Sequence, residues 1–70
     1  MVDVEKNRLK KTREDRLLSR LELANIAGVS PLTIARIEEG SPSRIETKRR
    51  ILSALGLDMK RRKEVWPDIP

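Results

Sequence analysis

An all-α fold, a compact bundle of four to five short helices, is what this sequence predicts, and three observations carry that reading. Serine-led capping sequences with Glu three residues on stand at Ser19 and Ser43, and Ser30-Pro31 marks a further helix start. Gly28, Gly40 and Gly56 each fall where a helix opened by those signals must stop. The apolar set is aliphatic, with one Trp and no Phe or Tyr, which suits a helical core better than a sheet.

The elements follow in order. Residues 7–16 form a charged run without Gly or Pro, a first helix in which Leu9, Thr12 and Leu17 are expected to face a core. The box Ser19-Arg20-Leu21-Glu22 opens a second helix carrying Leu21, Leu23, Ala24, Ile26 and Ala27, ended by Gly28. Ser30 caps the third, with Pro31 in its first turn, where the missing N–H costs nothing. Ile34 and Ile37 share one of its faces, and Gly40 stops it. A second box, Ser43-Arg44-Ile45-Glu46, opens a helix placing Ile45, Ile51, Leu52 and Leu55 on one side. Asp58 caps a short fifth helix over residues 59–66, stopped by Pro67. The expected layout is a flexible N-terminus at 1–6, one domain at 7–66 and a C-terminal tail at 67–70.

Composition narrows the function. Seventy residues make one small domain with a thin stability margin. Without His or Cys there is no zinc finger and no disulfide, and no metal or cofactor is expected. No enzyme is expected either, because a glycine-rich phosphate loop is lacking and the chain is too short to wall off a pocket. Nothing reads as a signal peptide or a membrane span, so a cytoplasmic protein is expected. The net charge is +5, and its distribution is uneven. Residues 1–18, 41–57 and 58–70 are net +2, +3 and +1, whereas residues 19–40 are net −1. Basic flanks touching phosphates around a near-neutral base-reading middle would give that division. Solubilising faces on short helices would give it too, and charge alone does not separate the two.

Two short helices joined by Gly28-Val29-Ser30 have the spacing of a helix-turn-helix. Ala24 is small where the helices cross, Gly28 turns the chain, and Val29, Ile34 and Ile37 fill the angle between them. The residues from Leu18-Ser19 through Leu23-Ala24, Gly28-Val29-Ser30, Thr33-Ile34, Arg36-Ile37-Glu38 and Gly40 to Ala54-Leu55-Gly56, with Arg13 before them, resemble the Cro/CI-type, lambda-repressor-like (XRE-type) helix-turn-helix regulators. The resemblance spans about residues 9–57 with the expected spacing throughout. It implies a transcriptional regulator, repressor or activator, that binds double-stranded DNA with the helix at residues 30–39 in the major groove. It also implies that Arg13 and Glu38 form a partly buried structural ion pair. The sequence departs from the family in having Arg20 where Gln is usual and Thr12 and Leu17 where an aliphatic residue and a glycine are usual. Pro31 and Leu32 stand at positions that often hold polar base-reading side chains.

On that reading Arg36, opposite Ile34 and Ile37, is the leading base-edge residue, because Arg pairs bidentately with guanine. Thr33 and Leu32, beside Pro31, would meet thymine methyl groups. Arg20, Ser30, Ser43 and Arg44, at or beside helix starts, and Lys48 one turn further on, are expected phosphate contacts. The run Lys60-Arg61-Arg62-Lys63 reads equally as a solvated face, a backbone clamp or part of a dimer surface. One recognition helix covers few base pairs, so a homodimer on DNA is expected. Its surface would be the apolar patch of Leu57, Met59 and Trp66, although Trp66, the one aromatic residue, reads as a core plug or an interface anchor rather than a base-stacking platform. The competing reading is an antitoxin or anti-repressor type module that binds a protein partner through the same fold. Membrane binding is disfavoured because the fifth helix lacks a broad apolar face.

Overall fold

The computed structural model describes residues 4–70. Four α-helices, α1 (Leu9–Asp15), α2 (Arg20–Ala27), α3 (Pro31–Glu38) and α4 (Ile45–Ala54), precede a 3-10 helix at Met59–Glu64. No strand occurs among the described residues, so the all-α prediction holds. Helix α2 packs on α3 and α4, α1 on α3, and α4 on the 3-10 helix. The core is one aliphatic cluster, with Leu9, Leu23, Ala24, Ile34, Ile37, Ile51 and Leu52 closed over by Leu55, Leu57, Val65, Trp66 and Ile69.

Local chemistry sets the helix ends. Ser19 completes its capping box: its hydroxyl accepts from the Glu22 N–H at 3.0 Å, and the Glu22 carboxylate accepts from the Ser19 N–H at 3.0 Å. Helix α3 ends in a paired closure in which the Gly40 and Ser41 N–H groups donate to the Ile37 and Arg36 carbonyls at 2.9 Å. Gly40 has φ +103, so the turn favours glycine, and a Cβ there would lie 2.6 Å from Val4 Cγ1 and displace that exposed side chain. Helix α1 closes the same way, with the Leu17 and Leu18 N–H groups donating to Glu14 and Arg13. There the left-handed position is held by Leu17, at φ 56, where the resembled family has glycine.

Several expectations are corrected. Leu17 does not face the core; it is 90% exposed, as the left-handed turn throws its side chain outward. Ile45 is exposed too, because it sits at the first position of α4 and only Ile51, Leu52 and Leu55 turn inward. Ser43 makes no capping box. The cap falls one residue later, at extended Arg44, and the buried Ser43 Oγ has no hydrogen-bond partner among the described residues. The tail at 67–70 belongs to the domain: Ile69 is buried, and the Pro70 carbonyl accepts from Arg62 Nε at 2.9 Å.

The N-terminal segment is likewise held. Residues 1–3 of the expected flexible stretch lie outside the described residues, but the Glu5 N–H donates to the Gly40 carbonyl at 2.7 Å. Asn7 Nδ2 donates to the Ile37 carbonyl at 2.8 Å, and the Arg8 N–H donates to the Val65 carbonyl at 2.7 Å. Residues 4–8 thus form a strap joining the end of α3 to the C-terminal segment.

Candidate nucleic-acid interface

Helix α3 is set by what lies beneath it. Ile34 and Ile37 are buried against α2 and the core, which fixes the helix and turns Pro31, Leu32 and Arg36 to solvent. Leu32 is 56% exposed, a large apolar side chain with nothing of the protein covering half of it. Thr33 is half-buried, and its hydroxyl lies 2.9 Å from the Ser30 hydroxyl, which also accepts from the Thr33 N–H at 3.1 Å. Ser30 is therefore an N-cap whose side chain is largely committed to its own helix. The Arg36 guanidinium is exposed and has no ion-pair or hydrogen-bond partner among the described residues. The four expected base-side residues, Pro31, Leu32, Thr33 and Arg36, thus lie along α3, three in its first turn and Arg36 in its last.

A shallow groove of about 290 Å³ separates α3 from the start of α4, lined by Thr33, Arg36, Ser41, Pro42, Arg44 and Thr47 among others. Arg44, the N-cap of α4, is exposed, and no side chain caps that helix end. The uncapped N–H groups and the arginine together make a place where negative charge is favoured.

The C-terminal end of α3 also carries a three-residue charge cluster. Glu38 has a side chain only 2% exposed, 2.7 Å from Arg13 Nε and 3.0 Å from Arg20 Nε. Burial pushes the Glu38 carboxyl up, but the hydrogen bonds and charges of Arg13 and Arg20 outweigh it and hold the group below its ordinary value. Its hydrogen bond in turn raises Arg13, against burial. Arg13 Nη1 also donates to the Leu18 carbonyl at 2.8 Å, so one guanidinium ties α1, the α1–α2 turn and α3 together. Arg20, expected as a phosphate contact, is shared: its Nε serves Glu38 while its side chain stays 48% exposed. Sequence reasoning missed this second partner of Glu38.

Two expectations fail here. Lys48 is not available to a phosphate. It is 5% exposed, its ammonium lies 3.0 Å from Glu5, donates to the Ser43 carbonyl, and stands 5.6 Å from the Trp66 ring centroid. Nor are Leu57, Met59 and Trp66 a dimer surface. Leu57 and Trp66 are core residues and Met59 packs against them, because the segment after Gly56 folds back over α4. The basic run is also partly spent at home. Arg61 pairs with Glu64 at 2.6 Å, and Arg62 donates to the Met59 and Pro70 carbonyls, leaving Lys60 and Lys63 exposed. The same Arg61 contact holds the Glu64 carboxyl below its ordinary value.

Among the described residues no group of His, Cys, Asp or Glu is arranged to hold a metal ion, and no helix is long and apolar enough to cross a membrane. Two helices joined by a tight glycine turn, the second with a buried aliphatic face and an open polar one, define a helix-turn-helix domain. The helix-turn-helix family model, HTH_3, matches residues 9–61. The chain belongs to that family of DNA-binding domains. Among solved structures it is similar to an HTH_3 family transcriptional regulator from Vibrio cholerae, with 33% identity and a TM-score of 0.74. That match covers 80% of this chain and 32% of the regulator, so this chain spans about a third of its length. No curated protein matches the sequence.

Proposed function

We propose that this domain binds double-stranded DNA sequence-specifically and regulates transcription, with α3 in the major groove. The observation that carries the reading is the pairing of Arg36, without a side-chain partner among the described residues, on the open face of α3 with an uncapped, arginine-led start of α4 across one groove. Arg36 would read a guanine edge, Thr33 and Leu32 would lie against thymine methyl groups, and Pro31 would set how closely the helix approaches. Arg44, with the α4 N–H groups, would hold one phosphate, and the exposed part of Arg20 another; Ser30 would act as the cap that shapes the start of α3. Membership of the HTH_3 family and the likeness to a transcriptional regulator from Vibrio cholerae support the regulatory part of the proposal.

Two copies would act on one site, since a single α3 spans too few base pairs for strong discrimination and a two-fold pair reads half-sites about 34–36 Å apart. The contact between copies must lie elsewhere than the buried Leu57 and Trp66. Selection of bound sequences from random duplex DNA, with stoichiometry measured on the selected site, tests both parts. A shared palindromic sequence holding two protomers is expected. Failure to enrich any sequence would overturn specific binding, and one protomer on a non-palindromic site would overturn the dimer.

A further inference from the structure

Lys48 sits where a lysine is least at home. Its side chain is 7% exposed, and the atoms around its ammonium come from three segments outside its own helix, α4. They are Glu5 of the N-terminal strap, at 3.0 and 3.2 Å, the Ser43 carbonyl of the α3–α4 loop, and Trp66 of the C-terminal segment. Stability does not account for this arrangement. A buried ion pair replaced by packed apolar groups is often neutral or stabilising. Among the described residues the neighbourhood also leaves Glu5 Oε1, Ser43 Oγ and Trp66 Nε1 buried without hydrogen-bond partners, a further unfavourable feature; Glu5 Oε1 meets Lys48 as an ion pair only.

What the ammonium connects does account for it. Glu5 donates its N–H to Gly40, and Asn7, two residues on, donates to Ile37, so the strap holds the C-terminal end of α3. Lys48 grips Glu5 on one side and, on the other, the carbonyl of Ser43, the residue just before the Arg44 cap. One buried cation therefore links the end of the helix that carries Arg36 to the start of the helix that carries Arg44. Those two helices are the walls of the groove described above.

We propose that Glu5 and Lys48 are positioning residues for DNA recognition, a buried latch that fixes the spacing between the base-reading face of α3 and the phosphate-binding start of α4. The proposal rests on the DNA reading given above. It differs in sign from simple electrostatics: removing the Glu5 carboxylate makes the chain more basic, which on charge alone strengthens attraction to DNA. Loss of the latch weakens binding instead.

The test compares the full chain with E5Q, K48M and the double variant, on a duplex selected from random DNA and on a random duplex, across a range of salt. Melting curves establish that each is folded at the assay temperature. The double variant leaves no unpaired buried charge; E5Q keeps a hydrogen-bond acceptor beside the ammonium, and K48M leaves a Glu5 carboxylate that is 32% exposed and can turn to water. E5Q is expected to bind the selected duplex about five- to tenfold more weakly and the random duplex with a smaller loss, with the double variant no worse than the weaker single. The salt slope should be unchanged in all three, since neither side chain touches a phosphate. Folded E5Q binding as tightly as the parent, or more tightly, would overturn the latch. So would a slope shallower by about one unit in K48M, which marks Lys48 as a direct phosphate contact. If the parent chain itself shows no salt-dependent duplex binding, the DNA reading falls, and the latch falls with it.

Discussion

Replacing Glu38 with Ala removes the one carboxylate that two arginines share. Its side chain is 2% exposed and Arg13, its closest partner at 2.7 Å, is 9% exposed, so the guanidinium left behind cannot turn to water without opening the α1–α3 contact. Deleting one partner of such a buried pair costs about 3–5 kcal/mol. The retained Arg13 hydrogen bond to the Leu18 carbonyl and the half-exposed Arg20 place the expected value at the lower end, about 3 kcal/mol. A domain of this size has only about 4–10 kcal/mol in total, and about 3 kcal/mol corresponds to a melting temperature lower by about 12–24 °C. Glu39, next in sequence, is exposed and has no ion-pair partner among the described residues, so E39A should fall within about 0.5 kcal/mol of the parent. Thermal melts followed by helical circular dichroism separate the two. The pH dependence has a fixed sign. Because the folded Glu38 carboxyl lies below its ordinary value, its contribution is present in full above the unfolded carboxyl range and lost as pH falls through the folded value. The gap between the parent and E38Q should therefore be widest near neutrality, begin to narrow as pH falls through the unfolded carboxyl range, and close only below the lowered folded value. Melting temperatures for E38A and E39A within a couple of degrees of each other would mean that the shared carboxylate does not hold the helices together.

Changing Arg44 to Ala should weaken all duplexes by similar factors and make the salt slope shallower by about one unit, measured by anisotropy titrations; an unchanged slope removes Arg44 from the interface. L17G should stabilise the domain by up to about 1 kcal/mol, because glycine relieves the left-handed strain at φ 56 while losing almost no packing from a side chain already 90% exposed. A lower melting temperature would show that Leu17 packs on something in solution. W66A should cost about 3–5 kcal/mol of stability, as expected for a core plug 1% exposed. Denaturant titration of W66A decides between that and the interface role read from sequence, in which stability would hold and stoichiometry on DNA would change.

Most of the frame was legible from residue to residue. The Ser19 box, the Ser30-Pro31 start and the stops at Gly28, Gly40 and Gly56 are local events, decided by side chains within four positions of each other, and all lie where the pattern places them. The Ser43 box failed because capping also depends on what surrounds the serine, and here its carbonyl is engaged by Lys48 while its hydroxyl is buried. Lys48 was illegible for a related reason. A lysine in a basic helix reads as solvent-facing, and its partner Glu5 stands 43 positions away in the strap. Ile69 fell outside the predicted core, and Trp66 could be read only as either a core plug or an interface anchor, because no periodic pattern runs through a 3-10 helix of charged residues. Only the chain reversal after Gly56 brings them onto α4. In the candidate site, Arg36 and Arg44 were found by their place relative to Ile34, Ile37 and the helix start. The sharing of Glu38 between Arg13 and Arg20 needed three helices in register to be seen.

Whether α3 reads base edges through Arg36 is decided by comparing the parent with R36A on a selected duplex, on its single-base-pair variants and on random DNA. R36A is expected to lose about 1–3 kcal/mol on the selected site and to become indifferent to substitution at one base pair, with far less change on random duplex. An R36A protein that keeps every base preference, or that loses affinity equally on selected and random DNA, would take base reading away from Arg36.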